Sequence, residues 1–283
     1  MRYPDFLRRR LALRRLANTI RREPFTILMF HSVGRSRAAD FLPAALDCDP
    51  AFFRSVLKLL RRQATVLPYR ELMAAIRENR VPKRAVAITF DDGFRETLTV
   101  AWPMLKEFGL PAILFVPVDV LAANELLPVH KLYYNQLLNG DMAPSPVSPE
   151  RGPYMAKLLR EHNVTAPPLG RELYLTWDEL YRLRDEGMEI GAHTVSHAWL
   201  NGLPEDEQRR EVVECRRILE QRLGQPVEFF AYPYGYYGAS FTDKTVQLVR
   251  EHFATAAAGT RHPGPGLDLH RLPRYGISLF YNL

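Results

Sequence analysis

The sequence predicts an α/β fold organised around a parallel sheet. Short apolar runs alternate with stretches of helical spacing along most of the 283 residues, the pattern of βα units. A composition 47% hydrophobic and 25% charged is ordinary globular material, long enough to bury a thick core. Chemistry-bearing residues fall at or just past the carboxyl ends of the apolar runs, where parallel sheets and barrels gather their active sites.

Residues 1–24 read as a basic amphipathic segment ahead of a body spanning 25–283. Phe6, Leu13, Leu16, Ala17 and Ile20 share one helical face, with arginines around the remainder. Eight arginines against Asp5 alone give residues 1–22 a charge of +7 in a chain of net +6, so the rest sums to −1. Two readings of this helix stay open: it lies on an anionic membrane surface, each arginine adding roughly 1 kcal/mol, or it docks on the domain with its charges in water. Arginines interrupt every stretch that could serve as a secretory core of roughly 7–15 apolar residues. No stretch is long enough to span a bilayer. The expectation is therefore a cytoplasmic protein whose basic helix is available to the inner face of the membrane. A near-neutral body also argues against nucleic-acid binding.

The elements of the body follow in order. Phe25–Phe30 reads as a first strand ending at His31. Asp49-Pro50 is an N-cap followed by proline at the first helical position, opening a helix in which Phe53, Val56, Leu57 and Leu60 share a face. Ala85–Phe90 is a buried strand with Asp91-Asp92-Gly93 at its end, and Ala112–Val116 is another, closed by Pro117. Residues 124–175 hold several prolines and no sustained period, which predicts an insertion carrying a helix around Lys131–Leu138. Thr176-Trp-Asp-Glu179 is a capping box for a helix that ends near Gly187. Met188–Ala192 is a strand delivering His193, and a helix runs from Pro204 to Gly224. Phe229–Tyr232 leads into Pro233-Tyr234-Gly235, and the last strands lie within Phe253–Ala258 and Tyr275–Phe280. Cys48 and Cys215 form no paired motif and read as free, buried thiols.

Thr89-Phe-Asp-Asp-Gly93 and His193-Thr-Val-Ser-His197 stand out chemically. An Asp-Asp-Gly alone is a common turn, and a lone histidine pair four apart is more often surface or core than ligand. Here both follow strands too apolar for surface hairpins. Together they supply a metal-binding carboxylate, two imidazole ligands and a spare base, the parts of a metal-assisted hydrolase. Adjacent aspartates cannot both face one ion comfortably, so one ligates while the other takes a proton from water.

These two motifs, with Ala231-Tyr-Pro-Tyr-Gly235, Trp177-Asp-Glu-Leu and Gly187-Met-Glu-Ile-Gly, resemble the polysaccharide deacetylases, the NodB-homology family of carbohydrate esterases, over residues 25–280. The resemblance implies a deformed (β/α)7-type barrel and a divalent metal held by Asp92, His193 and His197, with Asp91 as general base. Zinc, cobalt, nickel and iron all suit such a ligand set. The resemblance also implies that the Tyr234 backbone N–H, in the turn Pro233-Tyr234-Gly235, assists the oxyanion. Leu28-Met-Phe-His31 resembles the arrangement in permuted members, where the acid histidine comes first, because no clean Leu-x-His follows residue 240; His262 and His270 lie in a Pro/Gly-rich loop. The third motif departs from the family at Ala231, where an arginine usually orients the base. Arg274 is the candidate replacement.

The expected function is metal-dependent hydrolysis of N-acetyl, and with less support O-acetyl, groups on a saccharide or lipid-linked sugar, with Trp199, Tyr232, Tyr234, Tyr236 and Tyr237 as candidates for a sugar-stacking platform. Two alternatives remain: an amidohydrolase or deformylase acting on a non-polymeric amide would share all these catalytic residues, and a non-catalytic carbohydrate-binding protein would be expected to lose ligands or base, whereas Asp91, Asp92, His193 and His197 are all present.

Overall fold

A computed structural model describes residues 5–34, 40–122, 124–139, 168–261, 264 and 266–281. Helix α1 (Asp5–Arg22) precedes strand β1 (Phe25–Phe30), the short pair β2 (Ser32–Val33) and β3 (Asp47–Cys48), α2 (Pro50–Gln63), β4 (Thr65–Val66), α3 (Tyr69–Arg77) and β5 (Ala85–Phe90). A wide helical turn at Thr97–Ala101 runs into α4 (Trp102–Phe108), followed by β6 (Ile113–Val116), α5 (Pro128–Asn139), α6 (Gly170–Leu173), α7 (Trp177–Asp185) and β7 (Glu189–Ala192). Next come α8 (Glu205–Leu223), β8 (Phe229–Ala231), α9 (Asp243–His252), β9 (Thr255–Ala257), β10 (Tyr275–Gly276) and α10 (Ser278–Tyr281).

The main sheet is parallel, in the order β10-β1-β5-β6-β7-β8-β9, with β4 beside the first half of β5. It curls into a half-barrel, and one segment bridges its two edges: Leu272 pairs with Ala257 of β9, and Tyr275 then pairs with Leu28 of β1. That closure places the side chain at 274 between the edges.

Strand alternation sorts the core into two layers. Leu28, Phe30, Val86, Ile88, Phe90, Leu114 and Phe230 pack under the helices. Ile27, Ala85, Ala87, Ile113, Phe115, Phe229, Ala231 and Ala257 fill the concave side. Alanines at four of those positions leave room for aromatic rings, and Gly191 does the same for Phe115, whose ring carbon lies 2.4 Å from where a Cβ would stand. Helix α3 plugs this layer with Tyr69, Leu72 and Met73, and the Glu189 carboxylate of β7 accepts from the first N–H groups of α3, at Tyr69 and Arg70.

Local signals read from the sequence correspond to real caps. The Asp49 carboxylate accepts from Phe52 N at 2.8 Å and Pro50 opens α2. Thr176 and Glu179 bond reciprocally at the start of α7, and Gly224 ends α8 at φ 66°. The last strand lies within the expected Tyr275–Phe280 window, at Tyr275–Gly276, and Ser278–Tyr281 then turns into helix. Of the expected insertion, the helix appears as α5, while residues 140–167 lie outside the described residues. Cys48 and Cys215 are free and buried.

Helix α1 is docked on the body. Ala12, Leu16, Ala17 and Ile20 are buried against a surface contributed by α2, α10 and β1, leaving Phe6 and Leu11 exposed. No helix among the described residues is long and apolar enough to cross a membrane.

Candidate metal centre and active site

Each sequence-predicted site residue except Arg274 sits at or just past the carboxyl end of a strand. Asp91 and Asp92 follow β5, His193 follows β7, His31 follows β1, Pro233-Tyr234-Gly235 lies two residues past β8, and Arg274 precedes β10. The Asp91 N–H donates to Phe30 O at 3.0 Å, carrying the β1–β5 ladder up to the site.

Asp92, His193 and His197 converge. Asp92 Oδ1 lies 3.5 Å from His193 Nε2 and 3.3 Å from His197 Nε2. All three residues are buried, and their ligand atoms fall within 4.8 Å of one another. His193 Nδ1 donates to Ala231 O at 2.7 Å, which in a neutral ring turns the Nε2 lone pair toward Asp92. Asp92 Oδ1 is itself buried without a hydrogen-bond partner. Lone pairs gathered in a buried pocket need a cation or extra protons among them, and two imidazoles with one carboxylate oxygen match a divalent ion whose remaining positions stay open. The residues fit the group that the motif implies.

The loops bearing these ligands are strained. Among the described residues, Asp92, Thr194, His197 and Tyr234 have positive φ, between 60° and 68°, a conformation that side chains other than glycine adopt only when their surroundings enforce it. Glu211 of α8 supplies part of that enforcement at the histidine loop: its carboxylate accepts from Val195 N, Ser196 N and Ser196 Oγ at 2.8–2.9 Å. Gly235 also has φ 69°, and a Cβ there would stand 1.8 Å from Gly259 N, so the Pro-Tyr-Gly turn lies directly on the chain leaving β9.

Asp91 has different surroundings. Arg274 binds it with two parallel bonds, Nη1–Oδ1 and Nη2–Oδ2, each 2.7 Å. The guanidinium is fully buried, donates further to Ala258 O at 2.7 Å and Thr89 Oγ1 at 3.2 Å, and lies over the Phe115 ring at 5.5 Å. Burial works to raise the Asp91 pKa, but Arg274, His193 and His31 outweigh it and hold the carboxyl below its ordinary value. The Asp92 carboxyl lies well below that value, burial being outweighed by His197, His193 and His31. Burial pushes the His31 imidazole down; Asp92 and Asp91 oppose this, and Arg274 and His193 add to it. His31 thus stands within electrostatic reach of the whole cluster.

The expected aromatic platform divides. Tyr232 belongs to the core, stacked on Phe241 at 3.8 Å with its hydroxyl donating to His270 O, because it continues the β8 alternation under the helices. Tyr234 faces the site, its ring 4.8 Å from His197 and 4.7 Å from Trp199, which is itself buried. Tyr236 and Tyr237 line a neighbouring cavity of about 530 Å³ with Met29, Thr260 and Arg261. His270 is buried, its Nε2 3.0 Å from Phe253 O, and His262 lies outside the described residues.

Sequence reasoning passed over Glu211 and His130. His130 on α5 is 1% exposed, and its Nε2 lies 3.9 Å from Asp92 Oδ2. Burial lowers its pKa to about 3. A lone histidine in a proline-rich stretch and one glutamate in a highly charged helix carry no motif.

A family model for polysaccharide deacetylases matches residues 78–256. YxkH of Bacillus subtilis, whose name assigns it provisionally to the polysaccharide deacetylases, is 21% identical over 249 residues, 87% of this chain and 70% of that protein. The peptidoglycan-N-acetylglucosamine deacetylase of Bacillus cereus is 34% identical over 85 residues, 29% of this chain and 31% of that protein. Among solved structures, the deacetylase PplD of Streptococcus pyogenes, in complex with acetate, superposes with a TM-score of 0.63 at 21% identity, covering 88% of this chain and 90% of that one. The de-N-acetylase of Aggregatibacter actinomycetemcomitans gives 0.61 at 16% identity, over 89% and 94%. These likenesses bear out the NodB-type barrel as the fold, and the matched motif region shows that the chain belongs to the polysaccharide deacetylase family.

Proposed function

We propose that the chain is a divalent-metal-dependent deacetylase that hydrolyses N-acetyl groups on an amino sugar of a saccharide or lipid-linked sugar. The observation that carries this reading is the division between adjacent carboxylates: Asp92 Oδ1 faces two imidazole nitrogens, whereas both Asp91 oxygens are held by Arg274.

Asp92, His193 and His197 are the residues to hold the cation, zinc or one of cobalt, nickel and iron. Bound there, it would polarise the acetyl carbonyl and acidify a water molecule, worth several kcal/mol of transition-state stabilisation. Asp91 accepts the proton of the attacking water. Its pairing with Arg274 keeps it ionised and fixes its orientation, the task usually given to an arginine at the position of Ala231. The Tyr234 backbone N–H, presented by a strained turn, donates to the oxyanion that develops on the acetyl oxygen. His31 delivers a proton to the leaving nitrogen. Tyr234 is placed to contact the acetylated residue, and the cavity beyond Tyr236 and Tyr237 to lodge a neighbouring sugar. The exposed arginines of α1, Arg10, Arg14 and Arg15, form the face proposed to approach an anionic membrane bearing a lipid-linked substrate at the cytoplasmic side.

Acetate release from a panel of N- and O-acetylated mono- and oligosaccharides and simple amides, with and without chelator, tests the reading. It predicts chelator-sensitive release from N-acetylated sugars. Release only from small amides would favour the amidohydrolase alternative, and no release from any substrate by the metal-loaded protein would favour the non-catalytic one.

A further inference from the structure

The mechanism leaves one buried polar group beside the metal ligands unused. The His130 ring is stacked against Phe94 at 5.4 Å and 29° and against Tyr174 at 5.8 Å and 16°, so its plane is fixed. Its Nδ1 is hydrogen-bonded to the Tyr174 hydroxyl. That oxygen already accepts from Leu127 N at 3.2 Å, and in these buried surroundings the hydroxyl proton has His130 Nδ1 as its acceptor. The ring's own proton therefore sits on Nε2. Nε2 is 3.9 Å from Asp92 Oδ2, while the other oxygen, Oδ1, faces His193 and His197.

The two oxygens of the ligating carboxylate thus have separate neighbours. We propose that His130 is a positioning residue whose Nε2–H holds Asp92 Oδ2, so that Asp92 presents Oδ1 alone to a divalent cation. The separation exceeds a hydrogen bond of 2.7–3.2 Å, so the contact acts as a charge–dipole interaction, which a buried site with little screening keeps strong. A slot needing only an aromatic plate would take phenylalanine without two ring nitrogens to satisfy. The relay Leu127 N–H, Tyr174 O–H, His130 N–H also ties the start of α5 to the metal ligands, so the segment that departs from the regular βα pattern acts on how tightly the cation is held.

This inference rests on the metal-site reading, and the test separates the two. The chelator-stripped full chain is titrated calorimetrically with Zn²⁺, and the visible spectrum of the Co²⁺ form is recorded, for wild type, His130→Leu, His130→Gln and Tyr174→Phe. Loss of such an outer partner typically costs 10–100-fold in metal affinity. His130→Leu is expected to show that loss with a shifted Co²⁺ spectrum, His130→Gln to recover most of it because its amide nitrogen reaches the Nε2 position, and Tyr174→Phe to lose affinity several-fold by freeing the tautomer. Affinity within twofold of wild type in His130→Leu with an unchanged spectrum, or equal losses in the leucine and glutamine variants, would overturn the proposal. If His130→Leu does not fold, unchanged affinity and spectrum in Tyr174→Phe overturn it equally. A wild type that binds no cation overturns both readings; a binding wild type with unmoved variants overturns this one alone.

Discussion

Replacing Arg274 with methionine keeps a long side chain over Phe115 and removes every donor that Asp91 has from that residue. Asp91 is 2% exposed, so the variant leaves a carboxylate buried without its partner, and Ala258 O and Thr89 Oγ1 lose a donor as well. Breaking a buried pair in this way costs about 3–5 kcal/mol. Urea unfolding at pH 7 is the assay, with the loss read from the midpoint at constant m-value. Asp91→Asn with Arg274→Met should be destabilised by less than the sum of the single changes, with a coupling of about 1–3 kcal/mol.

The pH dependence gives a second readout. In wild type the Asp91 carboxyl titrates below its unfolded value, so its stabilisation is complete above about pH 3.9 and is lost as the pH falls through the lower folded value. Without Arg274, burial dominates and the folded pKa rises above the unfolded one. The stability deficit of the variant should then shrink as the pH drops, and the acid limb of its acetate-release profile should move to higher pH, because the base takes up its proton at higher pH than in wild type. A deficit under about 1 kcal/mol that is constant from pH 8 to pH 4, with an unmoved acid limb, would refute the reasoning.

His31→Gln should lower turnover by about 10²–10⁴-fold with bound metal unchanged, measured by acetate release alongside metal analysis; near-normal turnover would remove His31 from proton delivery. Gly235→Ala must fit a Cβ 1.8 Å from Gly259 N, so it should displace the oxyanion turn and lose activity even where circular dichroism shows the fold retained. Asp49→Ala removes the α2 cap and the ion pair with Arg9, and should cost about 1 kcal/mol in thermal or urea unfolding with no change in activity, since Asp49 caps a helix and takes no part in the chemistry.

The strands that build the site were legible because each is a short, continuous apolar run ending in a polar motif, as strands buried on both faces require. Asp91, Asp92, His193 and His197 could be named for the same reason. Arg274 was reachable only by asking what replaces the arginine absent at Ala231, and its distance from Asp91 depends on the closure of the sheet edges by Leu272 and Tyr275, which no local pattern encodes. Tyr232 looked like its neighbours in a run of tyrosines, yet the alternation of β8 carries it into the core, where Phe241 covers it. Glu211 hid among the charges of an acidic helix start, although its carboxylate is the clamp of the histidine loop. His130 acquires meaning only through a stacked trio assembled from residues 94, 130 and 174. The last strand falls within the Tyr275–Phe280 window that the sequence marks, with its pairing to β1 confined to Tyr275 and Gly276 before the chain turns into a short helix.

Crystals of the chelator-stripped chain soaked with Co²⁺ and measured at the cobalt absorption edge test the central claim most directly. The account predicts one dominant anomalous peak bounded by Asp92 Oδ1, His193 Nε2 and His197 Nε2, each at about 2.0–2.2 Å, with Asp91 outside the coordination sphere and still paired to Arg274. A site without a peak, or a peak coordinated by Asp91 in place of Asp92, would contradict it.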